Sequence, residues 1–151
     1  SGGGGSGISN VVEDTTPQLG GNLDLNSKTI NGTGTINFTG ALSATTKSFD
    51  IEHPTKEGYR LRYGSLEGAE NGVYYRGETD LDYIELPEHW IGLVDEKSIT
   101  VQLTPKGKFQ QLFVRDIEDL TVLVDGVEGS YYFVVFAERK DVDKLVVEYE
   151  S

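Results

Sequence analysis

The chain has 151 residues, a length that suits one ordinary domain or one domain with a short appendage and can bury a core without covalent staples. It carries 25 acidic against 13 basic residues, a formal charge of −12, and no cysteine. A disulfide framework and a thiolate metal site are thereby excluded, and the acidic surface predicts that neither nucleic acid nor anionic membrane is a partner. With 19 glycines, 8 tyrosines and no long Ala/Leu/Glu/Lys tract, the composition favours strands and turns, so the expected class is all-β with little or no helix.

Residues 1–7 (SGGGGSG) read as a flexible expression linker, and the absence of methionine at position 1 suggests an excised fragment. From 8 to 47 the only charged residues are Glu13, Asp14, Asp24, Lys28 and Lys47; nearly all the charge lies from Ser48 onward. This shift sets an expected boundary, with a slender segment over 8–47 and a compact head over 48–151. In the slender segment, hydrophobic residues are sparse and often two apart, as in Leu23/Leu25 and Ile36/Phe38. Gly20-Gly21, Asn31-Gly32 and Gly40 are expected as turns between very short strands. One copy of such a ribbon has too few apolar side chains to offset its ordering entropy. Three copies wound on one axis supply the missing contacts, which makes an intertwined homotrimer the expected state and a disordered leader the alternative.

In the head, strands are expected at Phe49–His53, Tyr59–Tyr63, Gly72–Gly77, Leu81–Leu86, Ser98–Leu103, Gln110–Val114, Asp119–Asp125, Tyr131–Ala137 and Lys144–Glu150. Tyr131–Ala137 is the most apolar and should be a central strand, covered on both faces or packed at a subunit interface. Its core Phe133–Ala137 is the longest apolar run and is far too short to cross a bilayer, so no membrane insertion is expected. Pro87–Val94 begins with proline and contains a glycine, which limits it to one or two helical turns. Pro54, having no ladder donor, should end the first strand.

The pattern SFDIEHPTKEGYRLRYGSLEGAENGVYYRG over Ser48–Gly77 resembles a domain near the carboxyl ends of fibre-like virion structural proteins of tailed bacteriophages, including marine T4-like phages. The resemblance is carried by Phe49-x-Ile51-x-His53-Pro54, by Leu61-x-x-Gly64-Ser65-x-Glu67-Gly68 and by Gly72-Val73-Tyr74. Glu85–Pro87 with Trp90, Ser98–Pro105 and Ala137–Tyr149 extend it, and Val11–Leu25 is similar to tail-fibre segments. It implies a trimeric β shaft followed by a C-terminal antiparallel β head on a virion appendage, with itself and other virion fibre proteins as partners. A receptor-binding tip that recognises a host cell-surface glycan or protein is the alternative. The trimer-interface candidates are Leu23, Leu25, Ile30, Ile36 and Phe38 in the slender segment and Tyr132, Val134 and Phe136 in the head.

Nothing in the residues points to catalysis, and no cofactor or metal is expected. A serine triad built on Ser65 and His53 lacks the G-x-S-x-G elbow. His53 is better read as a structural side chain tying its strand to the following loop, with a metal bound by three symmetry copies as the sharper alternative. Glu78, Asp80 and Asp82 lack the calcium-loop signature and at two-residue spacing fall on a solvent face. A glycosidase carboxylate pair is a matter of spatial distance and stays open. Gly64–Gly72 lacks the Lys-Ser/Thr of a phosphate loop, and the sequons at Asn31 and Asn37 read as chance. Most of the aromatic rings are expected in sheet or subunit cores, leaving one or two for a ligand. For Arg60, Arg62 and Arg76 a structural ion pair is the default expectation, with Glu67 and Glu70 as candidate partners and stacking on neighbouring rings as the alternative.

Overall fold

The computed structural model describes residues 10–150, which divide into two units, one through Leu42 and one from Ser43. The chain is mostly β and antiparallel, with one short α-helix among the described residues.

In the first unit the expected short strands do not form. A 3-10 turn at Val11–Glu13 is capped by the Asn10 side chain, and the remaining order is local. The tightest feature is the reversal Leu25-Asn26-Ser27-Lys28. The Lys28 N–H donates to the Leu25 carbonyl at 2.8 Å, Asn26 and Ser27 have φ of 45° and 59°, and Asp24 Oδ1 accepts from the Asn26 N–H. Two successive positive φ values are those of a type I′ turn, the turn that matches the twist of paired strands. No ladder flanks it, because a strand needs a partner for its N–H and C=O groups and this unit supplies none.

In the second unit, β1 (Ser48–Glu52) and β2 (Arg60–Gly64) form a hairpin. One three-stranded sheet has the order β3 (Gly72–Thr79), β8 (Tyr131–Glu138), β5 (Thr100–Pro105); the other has β4 (Tyr83–Glu85), β7 (Thr121–Asp125), β6 (Phe113–Glu118). The helix α1 (Trp90–Leu93) lies where one or two turns were expected. All three sheets and α1 contribute to one core, through Leu61, Val73, Ile84, Trp90, Leu93, Val122, Val124, Tyr131, Phe133, Val135 and their neighbours.

Period-two alternation is sharpest on β8, where Tyr131, Phe133, Val135 and Ala137 are buried while Tyr132, Val134 and Phe136 face the other way. Gly77 on β3 sits opposite Phe133 and accommodates its ring: a Cβ there would lie 2.9 Å from the ring edge. The Tyr131 hydroxyl donates to the Leu81 carbonyl at 2.6 Å and thereby links β8 to the chain entering β4.

Two strand expectations shift or fail. Gln110 is not in a strand; its buried amide donates to the Ser130 carbonyl and accepts from the Glu128 N–H, clamping the β7–β8 loop, and the strand starts at Phe113 instead. Lys144–Glu150 forms no strand, and its apolar residues Leu145, Val146, Val147 and Tyr149 are exposed. The β6–β7 hairpin turns at Asp119-Leu120, with φ of 48° and 59°. Leu120 accepts this left-handed conformation, which costs about 1–2 kcal/mol in a non-glycine residue, and its side chain is buried in the core.

Candidate functional site

Cross-strand pairing builds one open face on the β3-β8-β5 sheet. Tyr132, Val134 and Phe136 stand beside Glu78, Arg76 and Tyr74 of β3 and beside Thr104, Gln102 and Thr100 of β5. Residues directly paired in an antiparallel ladder point to the same side, so these nine share the face opposite the core. Tyr74 and Phe136 are in ring contact at 6.1 Å, and Lys106 lies over the Tyr132 ring while its ammonium bonds Glu78 at 2.6 Å. That Glu78 partner is also what raises the Lys106 pKa above the ordinary lysine value. The three head candidates Tyr132, Val134 and Phe136 thus form a continuous apolar row along the middle strand. β8 is central, as expected, but only one of its faces is covered by its own chain.

The five candidates in the first unit are exposed, from 41% for Leu25 to 79% for Ile36, with Leu23, Ile30 and Phe38 between. In the single chain none of these side chains is buried.

A second cluster joins the β1–β2 hairpin to α1. Trp90 Nε1 donates to the Tyr63 hydroxyl at 3.3 Å, and that hydroxyl lies 2.6 Å from His89 Nε2. An indole N–H only donates, so the Tyr63 oxygen accepts from it; the hydroxyl keeps a proton and a second lone pair for His89, and the direction of that bond follows the histidine tautomer. Burial, with the charges of His53 and Lys56 behind it, holds the His89 pKa below the ordinary histidine value; burial also raises that of Tyr63. The His53 ring stands 5.6 Å from that of His89, and its Nδ1 accepts from the Thr55 and Lys56 N–H groups at 3.2 and 3.1 Å. His53 ties β1 to the following loop, as expected. His89 as its neighbour was not legible, because the two are brought together by the docking of the hairpin on α1. Gly92 makes this possible: a Cβ there would be 2.5 Å from Pro54 Cβ.

The chemistry of this pair is limited. His89 Nε2 and His53 Nδ1 are both already engaged in hydrogen bonds, and among the described residues no three His, Cys, Asp or Glu side chains converge. Ser65 is held through its backbone by the Lys47 carbonyl, and no hydrogen bond joins its hydroxyl to His53 among the described residues. Glu78, Asp80 and Asp82 are exposed.

Arg60 and Arg62 form the expected structural ion pairs, but with a different partner. Arg62 and Arg60 both bond Asp50, their cross-hairpin neighbour, and in that order hold its carboxyl below the usual range. Glu67 is taken by Lys47 at 2.6 Å. Arg115 pairs with Asp125, and Arg139 pairs with Asp141 while its guanidinium stacks on Phe49. Arg76 alone of the arginines has no ion pair or hydrogen bond among the described residues.

Several rings are open in the single chain. Trp90, Tyr131 and Phe133 are buried, but Tyr59, Tyr74, Tyr75, Tyr83, Phe109, Phe113, Tyr132 and Phe136 are not. Comparison with protein-family models, with curated proteins and with solved structures found no match for this chain.

Proposed function

We propose that this chain is a structural homotrimerising segment of a phage tail-fibre-like virion appendage, setting three chains in register and capping the fibre without catalytic activity. The observation that carries the reading is the type I′ turn at Leu25–Lys28, a hairpin turn that has no hairpin around it. Its flanks offer Leu23, Leu25 and Ile30 to solvent, with Ile36 and Phe38 further on. Strands from sister chains give those flanks their ladder partners and the side chains a shared thin core. The apolar row Tyr132, Val134, Phe136 gives the head a second self-association surface. Native mass measurement tests the reading: a trimer is expected, and a monomer at micromolar concentration overturns it.

A receptor-binding tip is the second reading, favoured by the exposure of Phe109 (82%) and Tyr59 (66%), large rings on polar loops. Its ligand class is a host surface glycan, held by ring stacking, or a host protein. Glycan-array binding that is lost in Phe109→Ala or Tyr59→Ala supports this role in host attachment, and a trimer that binds neither glycans nor host cells removes it.

A further inference from the structure

The second unit contains two unsatisfied halves of one strand pairing. The first is the segment Lys144–Glu150, KLVVEYE, which alternates Leu145, Val147 and Tyr149 with Val146, Glu148 and Glu150. It has the β-branched and aromatic content of a strand, yet it is exposed and outside every sheet. Glu148 and Glu150 have no partner among the described residues. The second half is the outer edge of β3, which pairs with β8 on one side only. A depression of about 570 Å³ runs along that edge, lined by Tyr63, Leu66, Tyr74, Tyr75 and Arg76 with Arg62. An uncovered edge with a row of free N–H and C=O groups is a template for another strand. The other free edge of that sheet, β5, turns Thr100, Gln102 and Thr104 outward and offers no free cation.

We infer that the occupant of the β3 edge is residues 144–150 of a second copy, added as an antiparallel strand with Glu148 opposite Arg76. Charge selects the occupant: on a chain of net charge −12, the one arginine without a partner among the described residues meets a glutamate that likewise has none there and is flanked by apolar residues. Side-chain alternation then fixes the rest of the register. With Glu148 across from Arg76, Tyr149 stands opposite Tyr75 as an aromatic cross-strand pair, and Val147 falls opposite Gly77, a strand position with no side chain of its own. Donation to the next copy is a heterologous contact, which closes into a ring when repeated around a three-fold axis. The inference therefore rests on the proposed trimer and assigns part of its interface.

Because the chain has no cysteine, Arg76→Cys and Glu148→Cys introduced together are its only thiols. Mild oxidation is expected to give covalent dimers and trimers on a denaturing gel, which reduction collapses to the monomer band. An intrachain disulfide, or thiols that stay free, overturns the assignment to a second copy. Charge reversal gives an independent reading: Arg76→Glu is expected to weaken assembly about tenfold, and adding Glu148→Arg to restore it. Unchanged assembly in the single variant contradicts the pairing. An unaltered chain that stays monomeric overturns both this inference and the trimer, whereas a trimer without interchain cross-links overturns the strand donation alone.

Discussion

The two units of this chain use the same device, apolar side chains two residues apart, and only one of them profits from it within a single copy. On β8 the alternation is doubled by neighbours on both sides, so that Phe133 and Val135 bury against β3, β5 and the opposing sheet. Between Leu23 and Phe38 the same spacing has no adjacent strand and no opposing layer, and the side chains stay in water. Periodicity specifies which face a side chain will take; it does not supply the surface against which that face is buried. The first unit has this alternation and a hairpin turn but no partner strands of its own, and the proposed trimer would supply them from other chains.

Substitutions sharpen this contrast. The largest effect is expected for Trp90→Ala, which empties a fully buried site and removes the donor to Tyr63; it should cost about 3–5 kcal/mol in urea unfolding. Gly126→Ala should follow at about 2–3 kcal/mol, since φ is +80° and a Cβ would collide with the Gln111 carbonyl. By contrast, Ile36→Ser should leave head unfolding within about 0.5 kcal/mol of the parent while lowering the trimer fraction in light scattering. Equal losses from Trp90→Ala and Ile36→Ser in a monomer would break the distinction between the units.

The smallest effect expected is on pH. The folded chain keeps His89 neutral, so in acid the unfolded chain binds the proton first; stability should fall as pH drops from above the ordinary histidine value of 6.5 toward the lowered folded value. The carboxyls of Asp50 and Glu67, held low by Arg62 and Lys47, lose their contribution only at more acid pH, where they take up protons. The urea midpoint should therefore decline modestly between pH 7.5 and 5, and His89→Gln should flatten that decline. A slope unchanged by the substitution would remove His89 as its source.

Much of the head was legible because its strands announce themselves: Tyr131–Ala137, Ser98–Leu103 and the proline-led helical turn all lie within a few residues of their expected places. What failed has a common physical origin. Lys144–Glu150 has strand composition but no neighbour in its own chain, and Gln110 spends its amide on the β7–β8 loop rather than entering a ladder. Asn26-Ser27 was missed as a turn because neither residue is glycine, although both adopt positive φ. The pairing of Arg60 and Arg62 with Asp50 and the meeting of His53 with His89 depend on hairpin register and docking, which no local pattern encodes. The candidates on β8 were legible as a strand, but their common outward face followed only from knowing which alternate residues its own core takes.

In the proposed trimer the segment between Leu23 and Phe38 is completed by sister chains, and native mass spectrometry of the intact chain is the decisive test. A species of three times the 16.6 kDa chain mass, reduced to monomer by serine at Leu25, Ile30 and Ile36 with the head still folded, is the predicted result. A monomer, or a trimer indifferent to those three substitutions, would contradict it.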